Sequence, residues 1–512
     1  MLRYAPASVR KPSVSHKDED IQITRRRFLA AGMAASLSSF NILVCNYEKD
    51  ILPNILVFMP DSWRGDHVGV RGYGRPVCPE IDTFASTSCY YFRNAYSQST
   101  ATKQSVASLF TGVMPSVHLA GLQPNTYTVS IDSDEQADFT TRTQTIRSQF
   151  KTLAECLSSC GYHTSWISAN PVVNDAPTFE RGFDTVITTG PERKLEQMEE
   201  VDRWLSESAQ EPFFTFIHVY DPHFPYLEHF PYSATGKCFG DLFGEDVFEL
   251  IDGLPQPDKT ILRLYLEAHK ESKDKYGNPL ELAQLSKQGL SVVQKLYDAE
   301  IRSVDERFGR ILARLKSTRV LDRTLVIVLS DHGQSFSDHG VFYHGHSPFY
   351  HQIHVPLLIH LPGQSAPTTV THPVSTYDVF PTLLTLARGS IPDYVQAQTL
   401  FSPTGQLSVS GDRIVMAEAD MRRLKPREWD VTVIQADTKV NEFQALGAPC
   451  VHDDKDEDAK RPCSSDSGIR HMKTLLKQKK AENVALAKAF GEPEWVSISK
   501  ETVDVLEAIG YL

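Results

Sequence analysis

The sequence predicts an α/β protein with a doubly wound central sheet, and three observations carry that prediction. Apolar runs stop abruptly on carboxylates or imidazoles at Asp61, at Asp221 and His223, and at Asp331 and His332. Helical stretches such as QFKTLAECLSSCGY and LYDAEIRSVDERFGRILARLKS alternate with those runs. Polar residues gathered where buried strands end mark the sheet edge at which sites lie in such folds.

A chain of 512 residues with 41% hydrophobic and 23% charged residues has the composition of a globular protein and room for a large core. Its net charge of −12, from 52 basic and 64 acidic residues, excludes a nucleic-acid partner, because phosphate contacts need a basic surface. An anionic substrate would therefore need a local positive site such as a bound metal.

Taken in order, the first 50 residues read as an export signal and linker. Thr24-Arg25-Arg26-Arg27-Phe28-Leu29 precedes an apolar, Ala-rich run too short to span a bilayer comfortably. The Arg25-Arg26 pair with Phe28-Leu29 resembles a twin-arginine signal, which implies a periplasmic or extracellular protein. The other open readings are an amphipathic or anchoring helix and a lipid anchor at Cys45, which Val44 fits poorly. No later stretch reaches the length of a membrane span, so the mature chain is expected to lack one. The eight cysteines form no CxxC pair, which disfavours structural zinc. Export would permit disulfides, and Cys450 and Cys463, flanking a charged loop, are the best-placed pair.

Asn54 to Ser62, NILVFMPDS, reads as a strand buried on both faces. Thr100 to Gly112, TATKQSVASLFTG, reads as a loop entering a helix, and its hydroxyls are open to two readings, helix capping or a nucleophile. Pro212 to His223 and Arg323 to Gly333 repeat the strand grammar. Residues 226–290 look like a mainly helical insertion, VSTYDVFPTLLTLA like a helix returning to the main domain, and residues 405–512 like a smaller C-terminal subdomain. The main domain is thus expected over 51–404.

PNILVFMPDSWRGDHVGVRGYG, SQSTATKQSVASLFTGVMPSVH, FFTFIHVYDPHFPY, TLVIVLSDHG, VPLLIHLPG and the terminal VDVLEAIGYL, in that order, resemble the sulfatases of the alkaline phosphatase superfamily. The resemblance covers roughly residues 53–400 and the last ten. It implies an alkaline-phosphatase-like doubly wound sheet with a smaller C-terminal α+β subdomain. It also implies one divalent metal, Ca²⁺, Mg²⁺, Mn²⁺ or Zn²⁺, held by Asp61, the nucleophile position, Asp331 and His332.

Two departures bear on the chemistry. Typical sulfatases have two adjacent Asp residues at the first strand end, whereas this chain has Asp61-Ser62, and DSWRGD is closer to the opening of phosphonate monoester hydrolases and related phosphodiesterases. Counting back from LFTG, the Cys or Ser that sulfatases convert to formylglycine is Thr102, with Gln104 and Val106 replacing the motif's Pro and Arg. Threonine is not a substrate for that conversion. A metal-activated Thr hydroxyl is still a workable nucleophile, as in the similar lipoteichoic acid synthases.

The resemblance further places His223 on the substrate anion or leaving group and His344 at a substrate-binding position, with His339 and His346 as neighbours able to serve instead. Asn170 is either a contact to substrate oxygen or a turn residue before Pro171. Arg64 is expected to pair with Asp66 or Asp61. The expectation is an exported hydrolase of phosphate, phosphonate or sulfate esters, phosphate chemistry first, acting on an anionic ester such as a phosphorylated or sulfated glycan or a lipid headgroup. The rivals are a sulfuric ester hydrolase with an unmodified Thr and a catalytically silent binding protein of the same fold. The substrate's alcohol part and the oligomeric state are not readable.

Overall fold

The structure is a computed structural model. It describes residues 52–498 apart from 122–128, 131–137, 140, 175–177, 192, 209–211, 227–236, 268–281, 339–341, 346–347, 421–428, 437, 443–449, 454–460, 463–466 and 493. The export segment, Cys45, Cys463, His339, His346 and the terminal VDVLEAIGYL lie outside the described residues.

The apolar runs become one eight-stranded sheet. Its strands are β1 (Asn54–Pro60), β2 (Tyr90–Phe92), β3 (His163–Ser168), β4 (Thr185–Thr188), β5 (Phe213–Val219), β6 (Thr324–Leu329), β7 (Leu357–His360) and β8 (Thr368–Val370). Their spatial order is β8-β2-β7-β6-β1-β5-β3-β4. Pairing is parallel from β6 through β1, β5 and β3 to β4, and only β7 runs against its neighbours β6 and β2. Every residue of β1, β5 and β6 is buried, as expected of strands covered on both faces.

Alternation along β1 feeds two cores. Ile55, Val57 and Met59 pack on one face with Val106 and Phe110 of α2 (Thr102–Thr111), while Leu56 and Phe58 face Phe84 of α1 (Pro79–Ser88) and Phe308 of α5 (Lys287–Ser317) on the other. Local chemistry sets the helix starts. Pro79 occupies the first turn of α1, and Asp305 of α5 accepts the Ile81 and Glu80 N–H groups at 2.8 and 3.0 Å. Thr152 and Glu155 form a reciprocal capping box on α3 (Leu153–Ser159). α4 (Lys194–Ser208) flanks the same sheet.

Within the expected insertion, helices run over Lys237–Phe243, Val247–Asp252 and Asp258–Glu267 before α5 begins. Beyond residue 405 a five-stranded antiparallel sheet spans Ile414–Asp420, Trp429–Gln435, Thr438–Glu442, Cys450–Asp453 and Arg461–Pro462, with a helix over Ser467–Ala489. Its first strand touches the main domain where Glu418 bridges Ser99, three residues before Thr102.

Candidate active site

The site forms where β1 and β6 end side by side. Ser330 stitches the two exits together, donating to the Pro60 carbonyl at 2.8 Å and accepting the Trp63 N–H at 2.8 Å. Asp61 N–H bonds to the carbonyls of Val219, the last residue of β5, and Asp221 just beyond it. Ser62 then takes a left-handed backbone conformation (φ 65°), which aims its N–H at Asp331 Oδ1, 3.0 Å away. This turn brings Asp61 against Asp331 and His332, and one ligand atom from each of the three lies within 4.8 Å of the others.

Thr102 completes the group. It is the first residue of α2 and is fully buried, and its Oγ1 sits 3.3 Å from Asp61 Oδ2 and 3.2 Å from His332 Nε2. The N-cap residue is Ala101, whose side chain makes no capping bond, and the Thr102 hydroxyl faces the carboxylates. Gly112, in the left-handed region at φ 69°, ends the helix and returns its N–H to the Ser108 carbonyl.

The electrostatics ask for a cation. Burial and the neighbouring Asp331 push the Asp61 carboxyl well above its usual range, outweighing donors from Ser62, Asn170 and Thr102. Asp331 Oδ1 accepts the N–H groups of Ser62 and His332 at 3.0 and 2.8 Å, but its buried Oδ2 has no hydrogen-bond partner among the described residues. His332 Nδ1 lies 2.8 Å from the Gly333 carbonyl, which can only accept, so the proton sits on Nδ1 and Nε2 offers its lone pair to the cluster. An orphaned carboxylate oxygen, a second carboxylate, an imidazole lone pair and a hydroxyl form a set that fits one divalent cation.

The other expected residues fall as follows. His223 and His344 meet at 2.9 Å between their Nε2 atoms, and the His344 ring lies 4.3 Å from that of His332. His223 Nδ1 contacts the Phe224 carbonyl, so its Nε2 must accept, and His344 holds the shared proton. Burial pushes His223 down to about 3, with His332 adding to it, so this imidazole stays neutral. Asn170 is committed within the protein: its Nδ2 bonds Asp61 Oδ2 and its Oδ1 accepts the Val172 N–H at 2.9 Å. Arg64 pairs with Asp66 and with Asp338, at 2.6 and 3.1 Å, and Asp61 is not among its partners.

Two features were not visible in the sequence. Asp221 is held by Lys194 at 2.7 Å and by Arg307, and Lys194 also reaches Glu300 at 3.0 Å, so a buried cluster of four charges anchors the turn carrying His223. Burial pushes Asp221 up, but Lys194 and Arg307 overcome it and hold the carboxyl well below its usual range. The second is His218, fully buried beneath the site. Its only sequence signal is an imidazole within the apolar run FFTFIHV.

Comparison with known proteins shows the family and a likeness of fold. The family model described as Sulfatase matches residues 53–390. The ulvan-active sulfatase of Formosa agariphila is 23% identical over 407 residues, covering 72% of this chain and 69% of its own. Arylsulfatase K of Homo sapiens is 24% identical over 366 residues, covering 68% of this chain and 65% of its own. The chain thus spans about two thirds of the length of these relatives. Among solved structures, the phosphonate monoester hydrolase of Agrobacterium radiobacter superposes with a TM-score of 0.61 at 18% identity, covering 85% of this chain and 96% of that one, a likeness of fold.

Proposed function

The chain belongs to the sulfatase family, and from that premise we propose that it is a metal-dependent hydrolase of phosphate, phosphonate or sulfate esters that uses Thr102 as its nucleophile. The observation that carries this reading is the Thr102 hydroxyl, 3.3 Å from Asp61 Oδ2 and 3.2 Å from His332 Nε2 at the start of α2. The twin-arginine-like segment supports export, and no helix among the described residues is long and apolar enough to cross a membrane.

Asp61, Asp331, His332 and Thr102 would hold the cation, which supplies a lowered hydroxyl pKa and neutralises charge on the transferring group. Because Ser62 replaces a second Asp and donates to Asp61 Oδ1 at 2.6 Å, the donor set holds few oxygens and one nitrogen. That favours Mn²⁺ or Zn²⁺ over Ca²⁺, which takes 6–8 oxygen ligands.

In the proposed reaction Thr102 Oγ1 attacks phosphorus in line and passes its proton to Asp61 Oδ2. The P–O bond to the leaving alcohol breaks, and His344, entering the step as an imidazolium, gives that oxygen its Nε2 proton and becomes neutral. His223, a neutral acceptor anchored by the Asp221 cluster, keeps the His344 ring aligned. Water then attacks the Thr102 ester and gives its proton to His344, while the P–O bond to Thr102 breaks and Asp61 Oδ2 returns its proton to Thr102 Oγ1. A sulfo-threonine would lack the geminal hydroxyl through which formylglycine expels sulfate, which places phosphoester chemistry first.

Sulfate ester hydrolysis with an unmodified Thr is the second reading, favoured by the names of the curated relatives, an ulvan-active sulfatase and arylsulfatase K. The test is turnover of an aryl phosphodiester, an aryl phosphonate and an aryl sulfate by the Mn²⁺-loaded protein and by Thr102→Ala. Phosphoester turnover lost in Thr102→Ala supports the proposal. Turnover confined to the sulfate supports the second reading, and turnover that survives Thr102→Ala sinks the assignment of the nucleophile.

A further inference from the structure

We propose that His218 is a positioning residue for the metal site, acting on Asp61 through the Asn170 amide. The inference rests on the metal-centred reading above. His218 lies on β5, paired with Met59 of β1 and Ser168 of β3, on the sheet face where its strand neighbour Phe216 joins the apolar core. An imidazole at such a position needs a reason, because its buried Nδ1 has no hydrogen-bond partner among the described residues and a Phe there would carry no such cost.

Asn170 supplies the reason. Its Oδ1 accepts the Val172 N–H at 2.9 Å, which fixes which end of the amide faces the site. Nδ2 therefore has two hydrogens to place, and its two neighbours are Asp61 Oδ2 and, at 3.3 Å, His218 Nε2. His218 must accept the second one, which puts its own proton on Nδ1. Burial, which pushes the imidazole down to about 4, keeps that lone pair available at neutral pH. With both hydrogens engaged the amide cannot rotate, and its bond to Asp61 fixes the plane of that carboxylate. Ser62 Oγ, 2.6 Å from Oδ1, holds the other oxygen. In a site without a second adjacent Asp, this leaves Asp61 one orientation in which to meet a cation.

Partners behind metal ligands typically contribute about 10–100-fold in metal affinity. The experiment is titration calorimetry of Mn²⁺ alone into the full-length metal-free protein, for the parent, His218→Leu, His218→Gln and Asn170→Ala, with circular dichroism to verify folding. Leu removes the acceptor, whereas Gln can still offer an oxygen to Asn170. Weakening by about tenfold or more in His218→Leu and Asn170→Ala, with recovery in His218→Gln, is the expected result. A folded His218→Leu protein that binds Mn²⁺ like the parent overturns the inference. If His218→Leu does not fold, an Asn170→Ala protein with the parent's affinity overturns it instead. A parent that binds no divalent metal contradicts the metal-centred reading itself, an outcome distinct from both.

Discussion

Replacing Asp331 by Asn should stabilise the metal-free protein while abolishing its stabilisation by metal. Asp61 and Asp331 are 0% and 2% exposed, and with His332 they offer ligand atoms within 4.8 Å of one another. Two like charges within 4.8 Å of each other, at an effective dielectric of about 20, repel by at least about 3.5 kcal/mol. Part of that is relieved without metal, because the raised pKa of Asp61 lets it take up a proton. The substituted amide keeps an oxygen for the N–H groups of Ser62 and His332, now on Oδ1 at 3.0 and 2.8 Å, so little hydrogen bonding is lost. The net gain for metal-free Asp331→Asn is about 1–3 kcal/mol. The parent, in turn, gains about 2.7 kcal/mol at metal concentrations about 100 times Kd, and the variant gains little. Urea and thermal unfolding in EDTA and in Mn²⁺ measure both effects, so the order of stabilities reverses between the two conditions. An Asp331→Asn protein that is less stable than the parent in EDTA, or that Mn²⁺ stabilises as much as the parent, would refute the reasoning.

Other consequences can be checked separately. Ser62→Asp, at a left-handed position that Asp tolerates, restores an adjacent carboxylate and should tighten Ca²⁺ binding by about tenfold or more in a calorimetric titration; unchanged Ca²⁺ affinity would count against the donor argument. Lys194→Met leaves Asp221 and Glu300 short of a cation, with an expected loss of about 3–5 kcal/mol in urea unfolding and a fall in turnover as the His223 turn loosens. Burial pushes His118 and His223 down to about 3, whereas an unfolded imidazole titrates near about 6.5. Between those values the unfolded chain binds protons that the folded one does not, so stability present at neutral pH is lost as pH falls below about 6.5. Urea midpoints measured from neutral to acidic pH should show the decline, with a shallower slope in His118→Gln; equal slopes would contradict it.

Much of this was legible in the sequence because buried parallel strands write themselves plainly. NILVFMP and TLVIVL are apolar throughout, and the abrupt arrival of Asp61 and of Asp331-His332 marks where each leaves the sheet. The position proposed for the nucleophile came from the resemblance to sulfatases, counted back from LFTG to Thr102. What linear reading could not supply was pairing across the chain. Lys194, Glu300 and Arg307 meet around Asp221 only because α4 and α5 pack on one face of the sheet, and each of those three alone reads as an ordinary surface charge. Asn170 showed its turn role before Pro171, but its bond to Asp61 depends on β3 lying two strands from β1. His218 looked like part of an apolar strand because only the third dimension sets it under that amide.

The first measurement to make is peptide mass spectrometry on Mn²⁺-loaded protein quenched during turnover of an aryl phosphodiester. A phosphoryl ester on the peptide containing Thr102, formed as the aryl alcohol is released and missing from Thr102→Ala, is the expected result. Turnover without any adduct at Thr102, or undiminished in Thr102→Ala, would contradict the role given to this hydroxyl.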